Sequence, residues 1–180
     1  KYIKNKKSDL KDQIILLTGA SSGIGLGICK NLIKKNKVYA VYNKNHSSLL
    51  EVKSSNLTNL KCDLFDFENY QEIEKKIKEN NINLIINCAG QFGSNTQSIE
   101  NIDFHYFLNI LKLNSLSILK ILQLMSSNGK IEYLKKIVNI SSLGGSIGEN
   151  NEGNAYIYRT SKSALNSISK NLCIDLKKKF

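Results

Sequence analysis

Tyr158 and Lys162 stand four residues apart in Tyr158-Arg159-Thr160-Ser161-Lys162. On a helix that spacing puts both side chains on one face, one turn apart. A free tyrosine titrates near pH ~10, too high for efficient proton transfer at neutral pH. A cation held close by favours the phenolate. The pair can therefore give or take a proton at a substrate oxygen. Ser142 ends an apolar run upstream, where a hydroxyl can hydrogen-bond a carbonyl or alcohol beside the tyrosine. Asn114 lies among apolar residues at an inward helical position. A buried amide needs partners, so Asn114 is either a structural hydrogen-bonder or part of a proton path. Each piece has a plain alternative. Tyr-x-x-x-Lys pairs occur on solvated helix faces, and Ser141-Ser142 suits a turn after a strand.

A second constellation is glycine-rich. The apolar run Ile14-Ile15-Leu16-Leu17-Thr18 breaks into Gly19-Ala20-Ser21-Ser22-Gly23-Ile24-Gly25 and continues as a helix-like segment to Lys35. A strand, a tight turn and a helix N-terminus make a place for a phosphate, because the first backbone N–H groups of a helix are unpaired and partly positive. Glycine lets the backbone approach such a ligand closely. Gly19, Ser21, Ser22, Gly23, Ile24 and Gly25 are thus candidates for a dinucleotide site. The alternative is a turn whose glycines serve geometry alone.

Both constellations need a frame. Residues 1–12 form a basic, polar lead-in. Strands are expected over Gln13–Thr18, Val38–Tyr42, Leu57–Cys62, Asn83–Cys88 and Lys136–Ser141, each a short apolar run bounded by turn residues. Helices are expected over Gly23–Lys35, Ser48–Lys53, Phe67–Asn80, Ile102–Ser127 and Ala155–Lys178. This alternation specifies one α/β domain over residues 13–180, a Rossmann-type doubly wound parallel sheet with helices on both faces. Ligands of such sheets sit beyond the carboxyl ends of the strands. Thr18-Gly19, Asn43-Lys44, Asp63, Asn87-Cys88-Ala89-Gly90 and Ser141-Ser142 close the five strands and should converge there.

Composition narrows the classes. The 180 residues are 41% hydrophobic and 23% charged, ordinary for a globular domain with a full core. The net charge of +11 comes almost wholly from lysines spread along the chain, with Arg159 the single arginine. Arginine is the preferred residue for bidentate recognition, so no nucleic-acid partner is expected. No apolar run approaches bilayer length and no signal-peptide pattern is present; no membrane partner is expected, and the default compartment is the cytoplasm. Cys29, Cys62, Cys88 and Cys173 form no C-x-x-C pairs, and three of them read as small core residues. Neither a disulfide framework nor a metal site is expected. His46 and His105 are isolated and read as surface residues.

Thr18-Gly19-Ala20-Ser21-Ser22-Gly23-Ile24-Gly25, Asn87-Cys88-Ala89-Gly90, Ile137-Val138-Asn139-Ile140-Ser141-Ser142 and Tyr158-x-x-x-Lys162, in that order, resemble the short-chain dehydrogenase/reductase family. The resemblance covers Gln13 to about Leu176. The run Ala155-Tyr156-Ile157-Tyr158-Arg159-Thr160-Ser161-Lys162-Ser163-Ala164-Leu165-Asn166 is further similar to its carbonyl reductase and C-factor-like branch. The resemblance implies that Tyr158 is the acid/base, Lys162 tunes it and bonds the nicotinamide ribose, Ser142 orients the substrate oxygen, and Asn114 holds a water in the proton relay. It also implies that Gly19, Ser22 and Ile24 line the diphosphate, Asp63 and Leu64 contact the adenine, and Asn87, Ala89 and Gly90 line the adenosine side.

The second strand ends in Tyr42-Asn43-Lys44, with no acid to accept a bond from a ribose 2′-hydroxyl. Lys44 can pair with a 2′-phosphate, so NADP(H) is favoured over NAD(H). The expected activity is an NADP(H)-dependent oxidoreductase that reduces a small-molecule carbonyl or oxidises the matching alcohol. A 3-oxoacyl thioester reductase would use the same residues. A non-catalytic nucleotide-binding or signalling protein on this scaffold is the alternative of another class. Members often pair through the helices around Asn114 and Tyr158, while monomeric carbonyl reductases look similar, so the resemblance leaves a homodimer or homotetramer and a monomer both open.

The sequence departs from the family at three places. Cys88 replaces a frequent asparagine, and the loop from Leu143 to Ile157 is longer than usual. Members continue beyond the Tyr/Lys helix with further strands, a Pro-Gly turn and a substrate-covering loop. This sequence ends at Phe180 and contains no proline, so the C-terminal part of the fold is expected to be missing.

Overall fold

The computed structural model describes residues 10–44, 47–94 and 97–177. Five strands, β1 (Ile14–Thr18), β2 (Lys37–Tyr42), β3 (Leu57–Lys61), β4 (Leu84–Asn87) and β5 (Lys136–Asn139), form one parallel sheet in the order β3-β2-β1-β4-β5. The chain winds outward from β1 to β3, then returns to the other side of β1 for β4. That reversal opens a crevice at the carboxyl ends of β1 and β4. Thr18 sits beside Val41 and Asn87, and Asn87 beside Asn139, so the strand-end side chains lie level along the crevice.

Helices cover both faces, which is why the central strands β1 and β4 are apolar up to their last residues, Thr18 and Asn87. Leu16, Tyr39, Val41 and Ile85 pack against α3 (Gln71–Glu79), α5 (Ser117–Ser127) and α6 (Tyr156–Lys177), with Ile73, Ile77, Ile118, Ile121, Met125 and Leu165 in the same layer. The alternate residues Ile15, Leu17, Val38, Ala40 and Ile86 pack against α1 (Gly23–Leu32) and α2 (Ser47–Leu50) through Cys29 and Leu49. Each such aliphatic side chain contributes roughly 1.5–3 kcal/mol by leaving water. The doubly wound α/β class expected from the alternation is the fold observed.

Local boundaries differ for identifiable reasons. α1 stops at Leu32 because the Asn36 side chain caps it, Nδ2 donating to Leu32 O at 2.9 Å. α3 starts at Gln71 rather than Phe67 because Asp63 and Asp66 hold turns, their Oδ1 atoms accepting from Phe65 N and Glu68 N. β3, β4 and β5 end short of Cys62, Cys88 and Ser141, where the chain leaves the ladder.

The expected helix Ile102–Ser127 begins at Phe104, as α4 (Phe104–Leu111) with Asp103 as its cap, and passes through a π-helical turn at Lys112–Leu116 before α5. The whole helical run Phe104–Ser127 has 24 residues and is apolar enough by length and composition to cross a membrane. This corrects the expectation that no apolar run approaches bilayer length. Asn114, Ser115 and Ser117 are buried within it, and it packs against α3 and α6.

Ile24, Phe104 and Leu108, at core-like spacing in the sequence, are exposed. Cys29 and Cys62 are buried, Cys88 is half-buried and Cys173 is exposed. His105 is exposed. His46, Lys178 and most of the lead-in lie outside the described residues.

Candidate active site

The crevice is a cleft of about 520 Å³ lined by five strand ends, the α1 N-terminus and the start of α6. Its floor is the glycine turn. Gly19 has φ +68, and a Cβ there would lie 2.7 Å from Ala89 Cα and N. A Cβ on Gly25 would collide with the Gly19 carbonyl. The two glycines thus let the turn, α1 and the β4 loop close on one another. Ser22 is the N-cap of α1 in extended backbone with no side-chain cap bond, and the first turn carries no acid. Free N–H groups therefore remain at the rim lined by Ser21, Ser22, Gly23, Ile24 and Gly25.

Beneath this floor runs a chain of hydrogen bonds between side chains. Thr18 Oγ1 donates to Asn87 Oδ1 at 3.1 Å and accepts from Cys88 N and Ala89 N, each at 3.1 Å. Asn87 Nδ2 donates to Asn139 Oδ1 at 3.1 Å, and Asn139 Nδ2 to Ser169 Oγ at 2.9 Å. Ser169 donates on to Leu165 O at 2.7 Å. The chain ties β1, β4 and β5 to α6. Asn87 is buried, bonded to Thr18 and Asn139, and does not line the cleft as expected, whereas Ala89 and Gly90 do.

At the far end, Asn43 Nδ2 donates to Asp63 Oδ1 at 3.1 Å. Asn43 and the buried Leu64 line the main cleft. Asp63 and the exposed Lys44 line an adjoining recess with Ser21, Ser22 and Ser48.

The opposite wall holds the titratable pair. Lys162 is buried, with Nζ donating to Ile140 O at 2.9 Å and lying 5.9 Å from the centre of the Tyr158 ring. Burial holds the ammonium below the ordinary lysine range, and the nearby Cys88 opposes this weakly. Both Tyr158 and Lys162 line the cleft. Ser142 Oγ accepts from Gly144 N at 3.1 Å. A Cβ on Gly144 would stand 3.3 Å from Tyr158 Cε1 and 3.5 Å from Ser142 Oγ, so the hydroxyl and the ring flank the same glycine. The residue lining the cleft on this side is Ser141, whose hydroxyl donates to Asn166 Oδ1 at 2.7 Å.

Asn114 sits in the π-helical turn, fully buried. Its Oδ1 accepts from Gln91 N, and its Nδ2 donates to Gln91 O and Ser161 Oγ, all at 2.9 Å. It therefore clamps the loop after β4 onto α6. A Cβ on Gly90 would press on Asn114 Oδ1 at 3.3 Å and Lys162 Nζ at 3.4 Å.

Gln91 and Phe92 also line the cleft, and the Phe92 ring lies 4.9 Å from that of Tyr158. Neither residue is marked by spacing in the sequence. Asn139, in Ile-Val-Asn-Ile, carries a readable signal: one amide in an otherwise apolar strand needs a partner.

The residues present suit a dinucleotide. The volume of the cleft, an uncapped helix N-terminus without acid, and glycines whose Cβ atoms would fill the floor all fit one.

The family model for short chain dehydrogenases matches residues 13–179. A fatty acyl-CoA reductase of Acinetobacter baylyi is 27% identical over 182 residues, covering 96% of this chain and 60% of the relative. The carbonyl reductase Sniffer of D. melanogaster superposes with a TM-score of 0.81 at 26% identity, over 93% of this chain and 76% of that one. An NADPH-bound carbonyl reductase from chicken fatty liver superposes at 0.79 with 25% identity, over 94% and 76%. The chain spans 50–60% of the length of the curated relatives it matches first. With the whole of the sheet, the glycine turn and the α6 pair within the matched span, the chain belongs to the short-chain dehydrogenase family.

Proposed function

We propose that the protein is an NADP(H)-dependent oxidoreductase that reduces a carbonyl on a small molecule or oxidises the matching alcohol. The observation that carries this reading is the buried Lys162 ammonium, fixed by Ile140 O beside the Tyr158 ring, on the wall of a dinucleotide-sized cleft. A protein that only bound a nucleotide could use the lysine on the ribose, but it would have no need of the tyrosine set beside it.

Gly19, Ser21, Ser22, Gly23, Ile24 and Gly25 hold the diphosphate. Asp63 and Leu64 receive the adenine, Asn87, Ala89 and Gly90 support the adenosine, and Asn43 and Lys44 stand where a 2′-phosphate would be met. The bound nicotinamide supplies the hydride that reaches the carbonyl carbon. Tyr158 gives its hydroxyl proton to the carbonyl oxygen, Lys162 stabilises the phenolate left behind, and Ser142 orients that oxygen. Asn114 keeps Gln91 and α6 in register around them.

The test follows NADPH absorbance with the full-length protein on small aldehydes, quinones and 3-oxoacyl thioesters. Turnover that falls about 10²–10⁴-fold in Tyr158→Phe supports the reading. Turnover confined to the thioesters points to the narrower 3-oxoacyl activity. Tight NADPH binding with no turnover on any substrate overturns the enzyme reading.

A further inference from the structure

α6 reaches back across the fold for its N-terminal support. Tyr158 is the third residue of α6 (Tyr156–Lys177), so its N–H belongs to the first turn, where no helical carbonyl is available. It donates instead to Gln97 Oε1 at 3.0 Å, from a residue 61 positions upstream. The other end of the same amide is equally committed. Gln97 Nε2 donates to Phe92 O at 3.1 Å and to Ser94 O at 2.6 Å. The side chain is buried, with 4% exposure.

Gly93, between the two acceptors, has φ +102, and a Cβ there would lie 3.1 Å from Gln97 Nε2. The loop is thus shaped around this amide. Asn114 pins the neighbouring Gln91 by both N–H and carbonyl. Between the two amides, Phe92 lies against Tyr158 with its ring half exposed.

We propose that Gln97 is a positioning residue: a long-range cap that fixes the backbone of Tyr158 and the ring of Phe92 relative to each other. It thereby sets where the Tyr158 hydroxyl points and which apolar wall stands beside it. Gln97 touches no reacting atom. The role rests on Tyr158 being the acid/base, as read above.

Two substitutions test it. Gln97→Met keeps the volume and removes both hydrogen-bonding ends. Gln97→Glu, when protonated, accepts from Tyr158 N and donates to Ser94 O; when ionised, it faces the carbonyls of Phe92 and Ser94. Residue-resolved amide exchange is read first. In Gln97→Met the protection of the Tyr158 amide should fall about five- to tenfold, as for one lost hydrogen bond, while Leu165 and Ser169 keep theirs. In Gln97→Glu the protection should stay within about twofold of wild type at low pH, where the protonated carboxyl accepts from Tyr158 N and donates to Ser94 O. Kinetics of the full-length protein are read second: kcat should fall in Gln97→Met with the NADPH Kd within twofold.

Unchanged protection at Tyr158 in Gln97→Met, a loss spread evenly along α6, or a Gln97→Glu protein at low pH no better protected than Gln97→Met overturns the proposal. So does a raised NADPH Kd at unchanged kcat. Should the wild type bind NADPH and turn nothing over, the oxidoreductase reading fails, and the exchange data still decide the role of Gln97 as the cap of Tyr158.

Discussion

Thr18→Val tests whether the floor of the cleft is held by one hydroxyl. Valine has nearly the shape of threonine, so the packing of β1 is kept and only the polar atom is lost. Thr18 is fully buried. Its oxygen accepts from Cys88 N and Ala89 N and donates to Asn87 Oδ1. The substitution leaves two N–H donors without an acceptor and takes one donor from Asn87. A buried donor left unsatisfied costs about 1–3 kcal/mol. Cys88 and Ala89 are half-buried, so water relieves part of this. The expected loss is therefore roughly 2–4 kcal/mol for the pair, offset by less than about 1 kcal/mol from the added methyl. With a urea m value of about 2 kcal/mol/M, the unfolding midpoint should drop by about 0.5–2 M. Thr18→Ser is the control: it keeps the hydroxyl, loses one methyl and should cost about 1 kcal/mol. NADPH binding should weaken in the valine variant only, because the Ala89 backbone it frees lies directly against Gly19. A valine variant within 1 kcal/mol of wild type, or more stable than the serine variant, would refute the reasoning.

Gly90→Ala should raise the NADPH Kd or lower kcat by about tenfold, since the new methyl meets Asn114 Oδ1 and Lys162 Nζ, both already bonded elsewhere; fluorescence titration and steady-state kinetics that both stay at wild-type values would show that the site yields. Lys44→Asp should weaken NADPH by tenfold or more while changing NADH little; equal changes for both cofactors remove Lys44 from cofactor choice. Burial, reinforced by the charges of Asp63 and Asp66, pushes the Cys62 thiol up to about 12 from an ordinary 9.0. The folded state thus binds that proton more tightly, so the stabilisation is present below pH 9 and is lost as pH rises toward 12. Urea midpoints between pH 8 and 11 should therefore fall less in Cys62→Ala than in wild type, and a disulfide reagent at pH 8 should label the exposed Cys173 long before Cys62.

What was legible in the chain is what single residues impose on their own surroundings. Gly19 and Gly25 announce the turn because no other side chain fits against Ala89 and the Gly19 carbonyl. The alternation of apolar runs announces the doubly wound sheet because a strand covered on both faces cannot alternate in polarity. The Tyr158–Lys162 spacing is a property of one helix.

The illegible parts depend on who meets whom. The π-helical turn at Lys112–Leu116 exists to aim Asn114 at Gln91 and Ser161, 23 and 47 residues away, and no local propensity encodes it. Gln97 sits in a polar loop that reads as solvated, yet it is buried because α6 needs an acceptor at Tyr158 N. At the end of β5 a shift of one residue separates Ser141, on the cleft, from Ser142, beside Gly144, and strand pattern alone cannot fix that register. Three buried amides, Asn114, Asn87 and Gln97, thus do what the glycine turn cannot: they relate one strand end to another. Placing the cofactor floor takes residues that any Rossmann-type reading finds. Placing Tyr158 on the opposite wall takes amides whose partners lie 23 to 69 residues away, and the precision of the proposed chemistry would reside in them.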